Sequence, residues 1–529
     1  MKRWNGWGET AVTNELPENA GVFLEEAIGV TRPPKDAELA DVVASVLESR
    51  LPEHPLINTD AETRLRHTRG QSFPDWLALR SGNMAAFPDG VAFPQTDAQV
   101  KTLLDLAIAH DVKLIPYGGG TSVVGHINPE PGDRPILTMN LQRLNRMRRL
   151  DTASRLATFG AGVAGPNLEA QLRAKGYTLG HYPQSFEYST LGGWIVTRSS
   201  GQQSRGYGRI EDMFAGGKLV APAGELQMPP LPASAAGPDI RQMVLGSEGR
   251  LGIVTEATVR VSQLPEKEVF HTVFFPDFEA GKTAVRQIVQ ADLPLSMLRL
   301  STGVETETTL KLAGHEVLIN TLERLLRMRG LEEGKAMLLM GFTGKREIVN
   351  AARKEALDIT GQNSGIHIGQ QFGNQWQKSR FKSPYLRNTL WERGVGIDTL
   401  ETAVPWRSVD QTLQDIETAI HSGLANFNEK VHVFTHLSHM YATGCSIYTT
   451  YAFRLAADPD ETLARWSAMK TAASKAIVAN GGTISHQHGV GKDHKPYLPA
   501  EKGDLGMAAI TALAQQFDPN GLMNPGTLF

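Results

Sequence analysis

The run Gly118-Gly119-Gly120-Thr121-Ser122 is where this sequence first offers chemistry. It follows an apolar stretch, Val112 to Tyr117, whose composition predicts a short strand. Three glycines in a row let backbone N–H groups approach a ligand without interference from a Cβ, and Thr121 and Ser122 add hydroxyl donors. Such a loop can cradle a phosphate; taken alone, it serves equally as an ordinary tight turn. Two further runs favour the ligand. Pro183 to Gly201 is rich in small and hydroxyl residues able to line a pyrophosphate and a flat ring system, and Gly246 to Val254 leads into a strand predicted over Ala257 to Val261. The nicotinamide fingerprint, G-x-G-x-x-G opening a helix with an acidic residue about twenty positions later, is not matched, and the P-loop lysine is missing.

His486 and His488 stand two apart in Ser485-His486-Gln487-His488-Gly489. In an extended segment, residues at that spacing face the same way, so the two imidazoles are expected to share a site and Gln487 to face away. A shared catalytic site, a metal and simple solvation of a loop are all compatible with the pattern. His432, His436 and His439 form a second local group, for which structural packing is the default and zinc the alternative.

The elements that must position these groups follow from periodicity. Asp97 is expected to cap a helix with Val100, Leu103, Leu104, Ala107 and Ile108 on one face. A second cycle has a strand over Arg155 to Val163 and a helix over Pro166 to Lys175, stopped by Gly176. Residues 1–87 read as an N-terminal helical extension with a helix around Ala37 to Glu48, and residues 88–264 as a binding domain. The composition changes near residue 265. Beyond it, strands at Val269 to Phe275, Ala336 to Phe342 and Ile447 to Tyr451 alternate with helices at Glu347 to Ile359 and Val409 to Ile420. Residues 265–480 thus form a substrate-binding cap, an antiparallel sheet with helices on one face, and residues 481–529 are expected to return to the binding domain. The fold class is α+β.

A chain of 529 residues exceeds what one compact core usually supports, so two or more domains are expected. The formal charge of −3 and the scattered basic residues give no footprint for a phosphate backbone, and no nucleic acid partner is expected. Cys445 is the single cysteine, which rules out a disulfide within the chain and a thiolate cluster and fits a reducing compartment. The start, Met1 to Gly8, lacks an apolar signal core, and no stretch has the roughly 18 apolar residues that spanning a bilayer requires. A soluble, cytoplasmic protein is expected, compatible with peripheral membrane contact.

Taken in order within one domain, the three glycine and hydroxyl runs resemble the FAD-binding segments of the vanillyl-alcohol-oxidase or PCMH-type flavoproteins. The resemblance implies a two-lobed FAD-binding domain plus the cap, with FAD held non-covalently. It assigns the pyrophosphate to Pro116, Tyr117, Gly118, Gly119, Gly120, Thr121 and Ser122. The ribityl chain and ring fall to Gln184, Ser185, Phe186, Glu187, Tyr188, Ser189 and Thr190 with Thr197, Arg198, Ser199 and Ser200. The adenosine end falls to Glu248, Gly249, Arg250, Leu251, Gly252, Ile253 and Val254. Nothing marks His126, just beyond the first loop, as an attachment site.

The resemblance extends across nearly the whole chain to one branch, the alkyldihydroxyacetonephosphate synthases of ether-lipid synthesis, which exchange the acyl group of acyl-dihydroxyacetone phosphate for a fatty alcohol. It is carried by Trp4-Asn5-Gly6-Trp7-Gly8, Ser185 to Gly201, Met297-Leu298-Arg299-Leu300, Tyr385-Leu386-Arg387, Glu401 to Trp406, Gly444 to Tyr448 and Ser485 to Lys492. Residue by residue, it implies that Arg387 binds the substrate phosphate with a planar fork of donors, that Arg299 is needed for activity, and that Tyr448, His486 and His488 are catalytic. Where the branch has three consecutive histidines, Gln487 stands in the middle here, so modified rather than abolished chemistry is expected. The implied reaction has no net redox change: a proton leaves beside the ketone, the carboxylate departs and the alcohol adds. A neutral histidine suits the proton step near pH 7, Tyr448 can donate or relay a proton, and the pocket must exclude water.

A D-2-hydroxy acid dehydrogenase is the competing reading. Such enzymes often hold a metal on His-x-Gly-Asp-Gly-Asn-x-His and a later Glu-His-Gly. Here the first stretch corresponds to His439 to Tyr448 and the glutamate to Gln487, so two ligands are replaced and no metal is expected. A module that binds FAD or lipid without catalysis has no evident need for Arg299, Arg387, Tyr448, His486 and His488 together. Lipid substrates and a homodimer complete the expectation.

Overall fold

Alternation shapes an inner strand of the largest sheet. In Val431–Met440, Val431, Val433 and Leu437 are buried among helices while His432, Phe434, His436 and Ser438 take the opposite face, the period of two that a pleated strand imposes. The computed structural model describes residues 1–313 and 316–529, and side chains outside residues 314–318. This strand belongs to a seven-stranded sheet in the order Ile366–His367, Lys267–Phe275, Ala336–Gly344, Met297–Ser301, Val431–Met440, Gly444–Arg454, Val395–Pro405. All of its pairings are antiparallel. Helices Phe278–Gln290, Arg346–Gln362, Val409–Ala425 and Pro459–Ala479 cover one face, closing two cores through Ile288, Val349, Ile416, Ile420 and Met469.

The domain expected to bind FAD has two lobes. In the first, Gly90–Ala92, Ile136–Asn140 and Lys113–Tyr117 pair in parallel, with the short Ile57–Asn58 antiparallel at the edge. The second is a five-stranded antiparallel sheet in the order Met147–Asp151, Leu156–Gly160, Ile253–Arg260, Phe214–Ala221, Gly224–Met228. Each has its own core, with Val100, Leu103, Leu104 and Ala107 in the first and Leu168, Leu172, Trp194 and Ile195 in the second, and the first also takes Val220 and Ile253 from the second sheet.

Several local expectations are corrected. The helix Asp97–Ala109 is capped by Thr96, whose side chain accepts from Gln99 N at 3.2 Å; Asp97 instead starts the helix and pairs with Arg148 at 2.6 Å. Ile108 lies off the buried stripe and is 38% exposed. The helix near Ala37 is shorter than expected, Leu39–Ala44. The strand at Leu156 ends at Gly160, because the chain leaves the sheet over Ala161–Val163 and presses Gly162 against the Leu141 carbonyl, where a Cβ would meet it at 1.7 Å.

Both end segments lie against the first of the two lobes. Met523 bridges to Leu114, and Asn524 N donates to Leu114 O at 2.7 Å. Near the start, Lys2 Nζ donates to Gly119 O at 3.1 Å, while Trp7 and Asn388 exchange two hydrogen bonds of 3.0 Å.

Candidate active site

The uncovered face of the seven-stranded sheet and the FAD-binding domain enclose a cavity of about 570 Å³. On the domain side the glycine triplet forms its wall, and packing explains the glycines as much as ligand access does. A Cβ at Gly119 would lie 1.9 Å from the Tyr188 carbonyl, and one at Gly118 would lie 2.3 Å from Thr190 Oγ1. The first two runs therefore lie backbone to backbone. Thr190 Oγ1 accepts from Gly193 N and starts the helix Leu191–Thr197.

Of the residues assigned to FAD, Pro116 through Ser122, Gln184, Ser185, Ser189, Thr190, Thr197, Ser199, Ser200, Glu248, Gly249, Gly252 and Val254 all line this one cavity. Backbone amides, hydroxyls and apolar surfaces such as Ala161 and Val254 suit a dinucleotide with a flat ring, so the residues present fit FAD. Others in those runs serve packing. Phe186 stacks on Phe381 at 4.9 Å, and Leu251 and Ile253 are core residues. Tyr188 meets Trp7 edge-on and Tyr385 Oη at 3.0 Å. Arg198 reaches Gln242 at 2.8 Å, and Arg250 lies over Phe529 at 4.6 Å. Glu187 is half-buried, its carboxyl pushed up by burial. His126 joins the wall, its Nδ1 at 2.7 Å from Ser122 Oγ.

Register sets the opposite wall. Glu401, Tyr448 and His436 are direct partners across three adjacent strands. Tyr448 Oη donates to Thr399 Oγ1 at 3.2 Å, and burial pushes the phenol up to about 12. Arg299 meets buried Glu305 at 2.5 Å; the other Glu305 oxygen is 2.9 Å from His436 Nδ1. Burial alone would raise Glu305, but His436 and Arg299 together hold it below the usual carboxylate range. Arg387, on helix Ser383–Glu392, donates to Gln71 O at 2.6 Å and stacks over Trp76 at 4.3 Å. Among the described residues its buried Nη2 has no hydrogen-bond partner, and burial pulls the guanidinium down to about 10, still a cation at neutral pH. Arg299, Arg387 and Tyr448 thus share the cavity with His488.

The expectation that His486 and His488 face one site is corrected. Ser485–Gly489 is not extended but curls around the Glu401 carboxylate, which accepts from the backbone N of His486, Gln487 and His488 at 2.8, 2.9 and 3.1 Å. The curl breaks the two-residue period. His488 and Gln487 line the cavity, with His488 edge-on to Tyr448 at 5.9 Å. His486 instead lines a neighbouring space, its Nε2 receiving Arg209 at 2.6 Å and Tyr441 Oη at 2.7 Å. Because the guanidinium can only donate, His486 is held neutral, and burial places its titration well below the usual range.

Sequence reasoning missed Glu305, gave Glu401 no role of its own within the segment Glu401 to Trp406, and took His436 and His439 as packing with zinc the alternative. Alternation of His432, Phe434, His436 and Ser438 was the available signal for His436. His439 sits at a β-bulge with φ +43°, which turns its ring into the cavity wall against Ser204 at 2.9 Å.

Two family models match the chain: "FAD linked oxidases, C-terminal domain" over residues 264–528 and "FAD binding domain" over residues 88–228. The chain belongs to the FAD-linked oxidase, PCMH-type family, and FAD is its cofactor. Within that family it is alkyldihydroxyacetonephosphate synthase-like. It is 29% identical to the alkyldihydroxyacetonephosphate synthase of Trypanosoma brucei brucei, over 99% of this chain and 92% of that one. The Caenorhabditis elegans synthase is 30% identical over 93% of this chain and 83% of its own length. A solved alkyldihydroxyacetonephosphate synthase structure superposes with a TM-score of 0.85 at 26% identity, covering 99% of this chain and 98% of that one. Among the described residues, no helix is long and apolar enough to cross a membrane.

Proposed function

We propose that the protein is an FAD-dependent transferase that exchanges the acyl group of acyl-dihydroxyacetone phosphate for a fatty alcohol, releasing the fatty acid. One observation carries this reading: Arg387, a buried cation, lines the same cavity as Tyr448, His488 and the residues of the FAD-binding wall. A cation fixed by Gln71 and Trp76 suits a substrate phosphate. Likeness to the synthases over nearly their full length supports the same substrate class.

Non-covalent FAD supplies a ring that can take up and return electrons without net redox change. The chain's own residues do the rest. Burial holds His488 below the usual histidine range, so it is a neutral base near pH 7, able to remove the proton beside the ketone. Tyr448, protonated at that pH, can donate toward the departing carboxylate or the ketone oxygen. Trp7, Trp76 and Phe434 help to exclude water that would compete with the alcohol. His486, locked on Arg209 and Tyr441, steadies the segment rather than touching substrate.

The test is incubation of the purified, FAD-loaded protein with acyl-dihydroxyacetone phosphate and labelled hexadecanol. The expected product is labelled alkyl-dihydroxyacetone phosphate with one fatty acid released per turnover. Flavin reduction by D-lactate or glycolate, without alkyl product, would replace this reading with the dehydrogenase one.

A further inference from the structure

The segment that carries His488 contains no regular element, yet it is held at both ends by buried carboxylates from different domains. Glu401, on the cap strand Val395–Pro405, has a side chain that is 0% exposed. Its Oε1 accepts from Ser485 Oγ at 2.9 Å, Gln487 N at 2.9 Å and His488 N at 3.1 Å; its Oε2 accepts from His486 N at 2.8 Å. Ser485 Oγ accepts in turn from His488 N and Gly489 N at 3.1 and 3.0 Å. Two residues on, Glu248 of the FAD-binding domain takes Val490 N at 2.5 Å and Gly491 N at 2.8 Å. Among the described residues, no lysine or arginine reaches Glu401 within ion-pair distance. A buried carboxylate whose oxygens are satisfied by main-chain N–H groups does more than fill space, since these charge-assisted bonds fix the path of the loop.

The same carboxylate acts on the ring. Oε1 of Glu401 lies 3.6 Å from His488 Nδ1, and the ring stands edge-on to Tyr448, the cross-strand neighbour of Glu401. A negative charge on the Nδ1 side favours the tautomer that keeps its proton there, which leaves Nε2 as the basic nitrogen. We propose that Glu401 is the positioning residue of this active site: it wraps Ser485–Gly489 around its carboxylate and fixes the tautomer and basicity of His488. The basic role of His488 rests on the function proposed above; the positioning does not.

The other groups around His488 are Tyr448 and Asp398 on the sheet, Lys470 on helix Pro459–Ala479, and His126 of the flavin domain, with His439, His486 and His494 nearby. Burial lowers His488 most; Glu401 and Asp398 oppose it, while Lys470 and His126 add to it. Removing the Glu401 charge therefore disfavours the imidazolium further, and His488 should titrate at lower pH.

The test compares FAD-loaded wild type with Glu401→Gln by hydrogen exchange and by diethyl pyrocarbonate labelling across a pH series, both mapped by peptide mass spectrometry. The amides of 486–488 should exchange at least about tenfold faster in the variant, while those of 490 and 491, held by Glu248, should not change. The labelling inflection at His488 should fall by about one pH unit or more. Turnover should fall with its acid limb displaced in the same direction. Unchanged protection, or a uniform loss of turnover with an unmoved inflection, overturns the proposal. If Glu401→Gln does not retain FAD, Ser485→Ala keeps the carboxylate but removes one donor to it together with the acceptor of the 488 and 489 amides; faster exchange that reaches 486 and 487, held by Glu401 alone, supports the proposal, and exchange changed only at 488 and 489, or unaltered, overturns it. If wild type lacks the transferase activity, the proposed function fails, while exchange and labelling still decide the role of Glu401.

Discussion

Tyr448 and His436 stack with ring centroids 4.9 Å apart and 23° between their planes, partners on neighbouring strands. The stack fixes the phenol, and burial keeps it protonated to about pH 12. Tyr448→Phe removes the hydroxyl but keeps the stack. Turnover should fall about 10²- to 10⁴-fold, as expected for loss of a positioned proton donor, with FAD content unchanged. Steady-state kinetics and the flavin absorbance of the purified variant check both halves. A variant with full activity would remove Tyr448 from the chemistry.

Arg387→Ala takes away a charge-assisted contact in a partly desolvated cavity, worth about 2 to 5 kcal/mol for the phosphate substrate. Because phosphate binding also orients the reacting carbon, kcat should fall along with affinity. Arg387→Lys keeps the charge but not the fork and should recover activity in part. An unchanged kcat/KM for acyl-dihydroxyacetone phosphate in the alanine variant would show that the phosphate lies elsewhere.

For the cofactor, denaturation in acid should release all of the flavin into the supernatant, since no covalent link is proposed. Gly119→Ala should yield protein with little or no FAD, because its Cβ would meet the Tyr188 carbonyl at 1.9 Å and prise the two runs apart. Yellow precipitate in the first experiment, or a normal flavin content in the second, contradicts these statements.

Acid stability follows from histidines kept neutral by burial. His181 and His439 are lowered to about 3, and His67 and His271 to about 4, burial being the largest cause in each. Above pH 6.5 neither the folded nor the unfolded chain protonates them, and they impose no penalty. Below it the unfolded chain takes up protons that the fold refuses, so stability falls with pH by about 1.4 kcal/mol per unit for each fully buried histidine such as His181. The loss should run from pH 6.5 down to about 4, continuing to about 3 for His181 and His439. Melting temperature measured against pH should drop through this window and be nearly flat from 7 to 8; a flat profile down to pH 4 contradicts the sign.

What the sequence revealed depended on where the information is local. Gly118–Ser122 and the hydroxyl run at Ser189–Ser200 were legible because a tight backbone approach demands those residue types in sequence. Of the seven-stranded sheet, the strands at Val269, Ala336 and Ile447 and the helices over it were legible, while Val431–Met440 in its interior was not. Glu401 was not: its partners are main-chain N–H groups about 85 positions away, which any sequence at 486–488 would supply. The orientation of His486 failed for the same reason, since the curl that redirects it is imposed by that distant carboxylate. Arg387 was placed by resemblance alone; nothing in helix Ser383–Glu392 distinguishes a cavity arginine from a surface one.

The segment 518–524 is a late part of an early domain. Asn524 Nδ2 donates to Glu248 O at 2.7 Å, Asp518 anchors Leu522 N and Met523 N, and Met523 completes the core beside Leu114. During synthesis, the domain that begins near residue 88 therefore waits for more than 250 further residues after Val254 before its wall is whole. Cofactor capture has to follow the synthesis of residue 524, and ribosome-bound chains stalled before residue 518 should not retain FAD while chains extended well past it should turn yellow.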